Sequence, residues 1–318
     1  MLVRIEKDWD FPDILRQTPG SKGAWDGIQF TLDPVKTCDF FIMFNNRMTE
    51  DTVVSCHPEN VWALMQEPFE KGLTDWMVEK HDEYRLVLTH VPPDHSRRYR
   101  VSHPAIPWHV NRTYDELSGM TIPEKSKDLS WVVGNARDLP GHLKRWSFLD
   151  AMQNQNTLKI DLFGRAVHPI EDKFDGLAPY RYSLAVENSV GPDYWTEKIA
   201  DCFLTWTVPF YYGCSNLEDY FPAESFIRID IDPVEKGIQT IREVMEGDRW
   251  ERRIPALTKA RRLVLERYQI FPHLAGYIKS HPPPDSDKQT IRIPAYRRGL
   301  KSGYHRIGYK LRKRFGRL

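Results

Sequence analysis

Residues 182–213, YSLAVENSVGPDYWTEKIADCFLTWTVPFYYG, decide the fold. An apolar run from Tyr182 to Val186 ends in a turn carrying Gly191 and Pro192. A helical stretch follows with Ile199, Phe203 and Trp206 on one side, and a second apolar run, Thr207 to Tyr212, closes the unit. Strand, helix and strand at this spacing make a parallel pair, because the crossover helix returns the chain to the same end of the sheet. The pattern also occurs upstream. Ser130 to Gly134 is a β run, Leu143, Trp146, Leu149 and Met152 recur at helical spacing, and Leu158 to Phe163 is the next apolar run; downstream, Phe226 to Ile231 adds a strand. An α/β domain with a parallel sheet follows, with ligands expected beyond the carboxyl ends of its strands, at the loops after Gly134 and Val186.

Working outward, Phe40 to Phe44, Val61 to Met65 and Tyr84 to Leu88 read as buried strands of another domain. From Tyr99 to Lys127 the chain is irregular, with Pro104, Pro107, Pro123 and the run EKSKD, which predicts a linker near residues 100–128. Asp232, Pro233 and Glu235 spell an N-cap, a first-turn proline and a capping-box acid ahead of Val234, Ile238, Ile241 and Met245. Residues 248–268 form a basic amphipathic helix. The expected domains are 1–128, 129–280 and a tail, 281–318.

The 318 residues carry a net charge of +1, which is an average over unlike parts. Residues 291–318 hold ten Lys or Arg and no acid, leaving 35 basic against 44 acidic residues in 1–290. An acidic body thus ends in a basic tail. Leu300, Tyr304, Ile307, Leu311, Phe315 and Leu318 form one apolar stripe in that tail if it is helical, which predicts an interfacial helix drawn to anionic lipid. Its glycines at 299, 303, 308 and 316 weaken the helix in water, so it is expected to form on binding. Hydrophobic residues at 41% beside 28% charged residues exclude a disordered or collagenous chain. Cys38, Cys56, Cys202 and Cys214 are too sparse for a disulfide scaffold and contain no CxxC pair, so a reducing cytosol is expected. The amino terminus, MLVRIEKDWDF, lacks the apolar stretch of a signal peptide, and no apolar run is long enough to span a membrane.

Chemistry concentrates in Glu187–Lys198. It joins the end of a buried strand to a helix start, where free N–H groups and the helix dipole favour an anion. Glu197 agrees with that dipole, whereas Lys198 opposes it and makes sense beside an anion or as half of a solvated surface pair. Arg145, one or two turns into the helix after Gly134, is placed to reach a phosphate bidentately or to sit on the surface. Glu67 follows an apolar run and reads as a general base facing a cleft, or as a surface carboxylate. Asp230-Ile-Asp232 has the form of a metal-binding DxD, but Asp232 is accounted for as a cap. No HExxH, P-loop, GxGxxG or GxSxG is present, so zinc, triphosphate, dinucleotide and serine-hydrolase readings lose support.

Four linked blocks resemble a known family: Val186-Glu-Asn-Ser, Asp193-Tyr-Trp-Thr-Glu-Lys-Ile199, Val208-Pro-Phe-Tyr-Tyr-Gly213 and Phe221-Pro-Ala-Glu-Ser-Phe-Ile227. Together they look like the signature of the family 10 glycosyltransferases, the α1,3/4-fucosyltransferases, over residues 130–270. The resemblance implies a GT-B fold of two Rossmann-like α/β domains facing a cleft, with GDP-fucose on the C-terminal one. It implies that Asn188, Tyr194, Glu197 and Lys198 bind the donor, Lys198 on the diphosphate and Glu197 toward the ribose or fucose. Arg145-Trp-Ser-Phe-Leu-Asp-Ala151 matches the family's helix motif and would put Arg145 on the leaving pyrophosphate, while Glu67-Pro68 is the local match to the proposed base. Val186 replaces the family's Phe, and Phe210 to Tyr212 are bulkier than its usual residues. The implied reaction is an inverting transfer to a GlcNAc-containing glycan, in surface polysaccharide or lipopolysaccharide synthesis, with no metal or other cofactor required. The resemblance also implies a cytoplasmic enzyme held by its basic tail on the inner face of the membrane. Alternatives are a transferase of the same fold using another nucleotide sugar, and a non-catalytic protein whose tail binds nucleic acid. The second lacks the stacking aromatics of an RNA module.

Overall fold

The computed structural model describes residues 1–137, 139–155, 158–165 and 167–314. They divide into two compact units: Met1–Ile106 together with the chain from Ile270 onward, and Pro107–Gln269.

The first unit opens with β1 (Leu2–Lys7), β2 (Ala24–Trp25), β3 (Ile28–Thr31), β4 (Phe40–Phe44), β5 (Thr52–Cys56), β6 (Val61–Leu64), β7 (Leu86–Thr89) and β8 (Tyr99–Val101). Seven of these form a sheet in the order β2-β3-β1-β4-β6-β7-β8, parallel except where β2 meets β3. Central β4 is buried throughout, and the two-residue period of a strand sends its side chains to both faces. Phe40, Ile42 and Phe44 join one apolar cluster while Phe41 and Met43 join another. This double burial is why the strands read as continuous apolar runs rather than as an alternation.

The second unit carries α1 (Tyr114–Gly119), β9 (Lys127–Val132), α2 (Pro140–Gln155), β10 (Asp161–Phe163), β11 (Tyr180–Gly191), α3 (Glu197–Leu204), β12 (Val208–Cys214), β13 (Ile227–Arg228), α4 (Val234–Gly247) and α5 (Trp250–Leu263). Its five-stranded sheet is wholly parallel, in the order β10-β9-β11-β12-β13. The expected α/β class and parallel sheets are both present.

The domain boundaries fall elsewhere than the prolines indicated. Residues 107–128 are part of the second unit rather than a linker, with Trp108, Val110 and Leu117 in its core. Buried cations tie the segment in. Lys125 donates to the carbonyls of Ala178 (2.8 Å) and Thr205 (2.7 Å) and to Thr207 Oγ1 (3.1 Å). Arg261 stacks on Trp206 at 4.0 Å and donates to the carbonyls of Leu204 and Leu117. On α2 the buried residues include Arg145, Phe148, Leu149 and Met152, whereas Leu143, assigned to the apolar side from spacing, is 42% exposed. Asp232 does not cap α4; Pro233 holds that position and Asp232 pairs with Lys144 at 3.1 Å.

The chain closes with α6 (Ile270–Ser280), β14 (Gln289–Ile293) and α7 (Leu300–Arg314), all within the first unit. α6 packs Ile270, Phe271, Leu274 and Ile278 onto the sheet face that carries Phe40 and Ile42. β14 pairs antiparallel with β5, from Gln289 opposite Cys56 to Ile293 opposite Thr52. α7 is held by Ser302 on Glu79 and by buried Tyr309. Its backbone crosses so close to Gly72 that a Cβ there would lie 2.5 Å from the His305 carbonyl, and Gly72 has φ +87°, so glycine is required on two counts. The basic tail is therefore woven into the first unit and is not a separate appendage. Phe315 and Leu318 of the expected stripe lie outside the described residues. No helix among those described is long and apolar enough to cross a membrane.

Candidate functional site

In the second unit the chemistry gathers at the carboxyl ends of β9 and β11. β11 leaves its ladder there: Val186 faces Tyr212 and the next registered pair is Gly191 with Cys214, so Glu187, Asn188, Ser189 and Val190 bulge out between them. A bulge re-aims side chains that a regular strand would alternate between faces. Asn188 meets Arg145, whose Nη1 donates to Asn188 Oδ1 at 2.7 Å while Nη2 donates to the Gly134 carbonyl at 3.2 Å. The first turn of α2 is pressed against the same bulge, since a Cβ on Gly141 would lie 1.9 Å from the Asn188 carbonyl oxygen.

Arg145 is only 3% exposed, and its Nε–H has no partner among the described residues. Burial lowers its pKa against the raising influence of Glu187 and Glu197, but a guanidinium this basic stays charged. A buried cation with an unused donor, at a strand-end loop, can receive a bidentate anion.

Thr196 caps α3, accepting the Lys198 N–H at 3.4 Å and donating its own hydroxyl to the Glu187 carboxylate at 2.8 Å. Glu187, fully buried, also accepts the Thr196 N–H at 2.8 Å. Lys198 Nζ lies 3.1 Å from Glu187 and 3.3 Å from Glu197. Burial alone would lower the Lys198 pKa, but the two carboxylates outweigh it and raise it; burial likewise pushes Glu197 up, yet Lys198, His109 and Lys173 bring it well down. Both groups are therefore ionised across the physiological range.

Four of the six residues singled out in the sequence, Arg145, Asn188, Glu197 and Lys198, come together here. Tyr194 is buried at 3% and stands among the groups acting on Tyr211, as does Glu187. Glu67 belongs to the first unit, an exposed carboxylate just past the end of β6. Asp230 and Asp232 are engaged by Lys236 and Lys144, and no group of three metal-ligating side chains occurs among the described residues.

Sequence reasoning missed Glu187 as the counter-ion of Lys198, and missed a second buried pair behind it. Lys173 meets Asp201 at 2.7 Å, and Asp201 accepts the backbone N–H of His109 at 2.9 Å. His109 stands within electrostatic reach of Glu197, and burial holds its imidazole below the ordinary value. The only advance signal was Asp201 on the apolar side of a helix; His109 lay in the supposed linker.

Residues 122–247 match the family described as Glycosyltransferase family 10 (fucosyltransferase) C-term. Over 129 residues the chain is 32% identical to a 4-galactosyl-N-acetylglucosaminide 3-alpha-L-fucosyltransferase of Pongo pygmaeus, covering 39% of this chain and 34% of that protein. It is 30% identical over 129 residues to a 3-galactosyl-N-acetylglucosaminide 4-alpha-L-fucosyltransferase of Homo sapiens, with the same coverage. The chain thus spans 34% of the length of these curated relatives. A crystal structure of an alpha1,3-fucosyltransferase with GDP superposes over 81% of this chain and 82% of that one, at 16% identity and TM-score 0.49. One with GDP-fucose superposes over 81% of each chain at 15% identity and TM-score 0.47.

Proposed function

From the match of residues 122–247 to the glycosyltransferase family 10 model, we propose that this chain is an inverting GT-B transferase that moves fucose from GDP-fucose to a hydroxyl of a GlcNAc-containing glycan, in α1,3/4 linkage, in surface polysaccharide or lipopolysaccharide synthesis. The observation that carries the reading is Arg145, buried, charged and fixed on Asn188 with an unused donor at the strand ends. A nucleoside diphosphate sugar departs as a diphosphate, and the cation that meets that growing charge lowers the barrier most when it is already oriented and dry. Arg145 makes no ion pair among the described residues, so its charge is undivided, whereas Lys198 shares its own between Glu187 and Glu197. Arg145 therefore carries the larger part of leaving-group stabilisation, Lys198 the smaller, and Glu197 with Asn188 orients the sugar and ribose. These cations meet the charge without a bound metal.

Glu67 is the proposed base that removes the acceptor proton. Its support is a carboxylate exposed at the carboxyl end of a parallel strand, the end where such sheets bind their ligands. The enzyme works at a membrane surface in this reading. α7 presents Leu300, Tyr304, Ile307 and Leu311, 97%, 77%, 60% and 49% exposed, beside the exposed cations Lys301, Lys310 and Arg312. An apolar stripe rimmed by cations suits an anionic lipid face on the cytoplasmic side.

Calorimetry against GDP, GDP-fucose, GDP-mannose and UDP-glucose tests the donor. Binding of GDP-fucose in preference to the others is expected, and failure to bind any GDP compound ends the reading. Glu67→Gln is expected to lower turnover by about 10²-fold or more while donor affinity is kept; ordinary turnover in that variant removes Glu67 as base.

A further inference from the structure

The first unit contains a second cleft, of about 1190 Å³, at the amino ends of its strands. It is lined by the residues before β7, the run into β8, the end of α6 and strand β14. Glu67 lies past the opposite, carboxyl end of β6, so this cleft is not the place where the transfer reaction is proposed to occur.

Five arginines converge on it: Arg85, Arg97, Arg98, Arg100 and Arg292. Two are already engaged, Arg292 by Asp51 and Arg98 by Asp82 and the His81 carbonyl. Arg85, Arg97 and Arg100 are exposed and make no ion pair with any described residue. Arg85 and Arg97 also make no side-chain hydrogen bond among the described residues. Three guanidinium charges outside any ion pair among the described residues give this cleft, in a chain whose first 290 residues are net acidic, a local positive field that attracts an anion.

Several features say which anion. Arg85 stands just before β7, Arg97 just before β8 and Arg100 within β8, the edge strand of the sheet, so the unpaired positive charge comes from separate points on two neighbouring strands and meets spaced charges better than one point charge. Tyr277 and His281, both half-buried, add aromatic surface to the wall, which suits the apolar C–H groups of a sugar ring. Asp82 and Glu83, both exposed on the rim, accept hydrogen bonds from hydroxyl groups but repel a dense run of phosphates. We infer that this cleft binds an acidic glycan, a chain with carboxylates spaced along it and hydroxyls between them. The inference does not depend on the donor, because every lining residue belongs to the first unit.

The full chain is titrated with tetragalacturonate, neutral maltotetraose, inorganic pyrophosphate and a short oligouridylate, at low and at physiological salt, with GDP affinity measured on every variant as a control. Tetragalacturonate is expected to bind more tightly than the other three, and R85A/R97A/R100A to weaken it by at least about tenfold while GDP affinity is unchanged. R97E is a second variant at an exposed side chain, with the same expected direction. Absence of tetragalacturonate binding, equal affinity in both variants, or equal affinity for maltotetraose overturns the inference. So does pyrophosphate binding as tightly, which would make this a small-oxyanion site, or tighter binding of oligouridylate, which would make it a nucleic-acid site.

Discussion

A lysine in the first turn of a helix opposes the macrodipole, and Lys198 stands there because the protein supplies its own anions. Glu187 arrives from the β11 bulge and Glu197 from the same turn. The oddity noticed in the sequence was therefore real, while half of its explanation lay in the tertiary structure. Arg145 differs in having no carboxylate partner, and its fork geometry cannot be copied by an ammonium. Arg145→Lys is accordingly expected to keep the fold and to weaken GDP binding by about tenfold or more, read by calorimetry. Lys125 allows a test by pH. Burial lowers its pKa to about 7 although three oxygens accept from it. An unfolded lysine keeps its proton up to about pH 10.4, so between these values the unfolded chain binds more protons than the folded one. Stability should then rise with pH across that window and show no slope from this group below it. Lys125→Met is expected to flatten the dependence of the urea midpoint on pH between 7 and 10.

Elements were legible wherever burial is one-sided or complete. β4, β6 and β12 could be read because a parallel strand covered on both faces is an unbroken apolar run. α2 was read as a helix with Leu149 and Met152 rightly on its buried face and Trp146 packed beside them, but Leu143 lies outside and Arg145 inside, an exchange that hydrophobic spacing cannot anticipate. The bulge after Val186 left no periodic signal, yet it sets the site by turning Glu187 inward and bringing Asn188 to Arg145. Gly141 lies directly against it, with no room for a Cβ beside the Asn188 carbonyl. Gly141→Ala should force α2 and the bulge apart, costing about 1–3 kcal/mol in denaturant unfolding and lowering GDP affinity in the same variant. An unchanged affinity would mean that the bulge holds its shape without α2.

For the whole molecule, the chain leaves the first unit near Ile106 and returns to it at Ile270, so that unit is assembled from two segments far apart in sequence. The basic segment is anchored by β14 on β5 and by α7 against Gly72, and removing residues 291–318 would break three of the five β14–β5 pairs and uncover the core that Ile293 packs on. Point substitutions on the exposed stripe are therefore the cleaner test of membrane docking. Leu300→Asp with Ile307→Asp should abolish co-sedimentation with phosphatidylglycerol vesicles and leave GDP binding intact, since both side chains project from the unit. Retention on those vesicles would end the lipid reading of α7.

By itself the sequence determined the α/β class, the parallel sheet of the second unit, the Glu187–Lys198 signature and the amphipathic pattern of the terminal helix. Each of these is a local pattern, a run or a spacing that one element must obey. Only the tertiary structure decided that residues 107–128 belong to the second unit, with Trp108, Val110 and Leu117 in its core, and that the basic tail is pinned. It also decided that Lys198 is internally paired and that His109 stands near Glu197. Those facts depend on contacts between residues far apart in the chain, where burial and charge pairing are properties of the assembled unit and leave no period in the sequence.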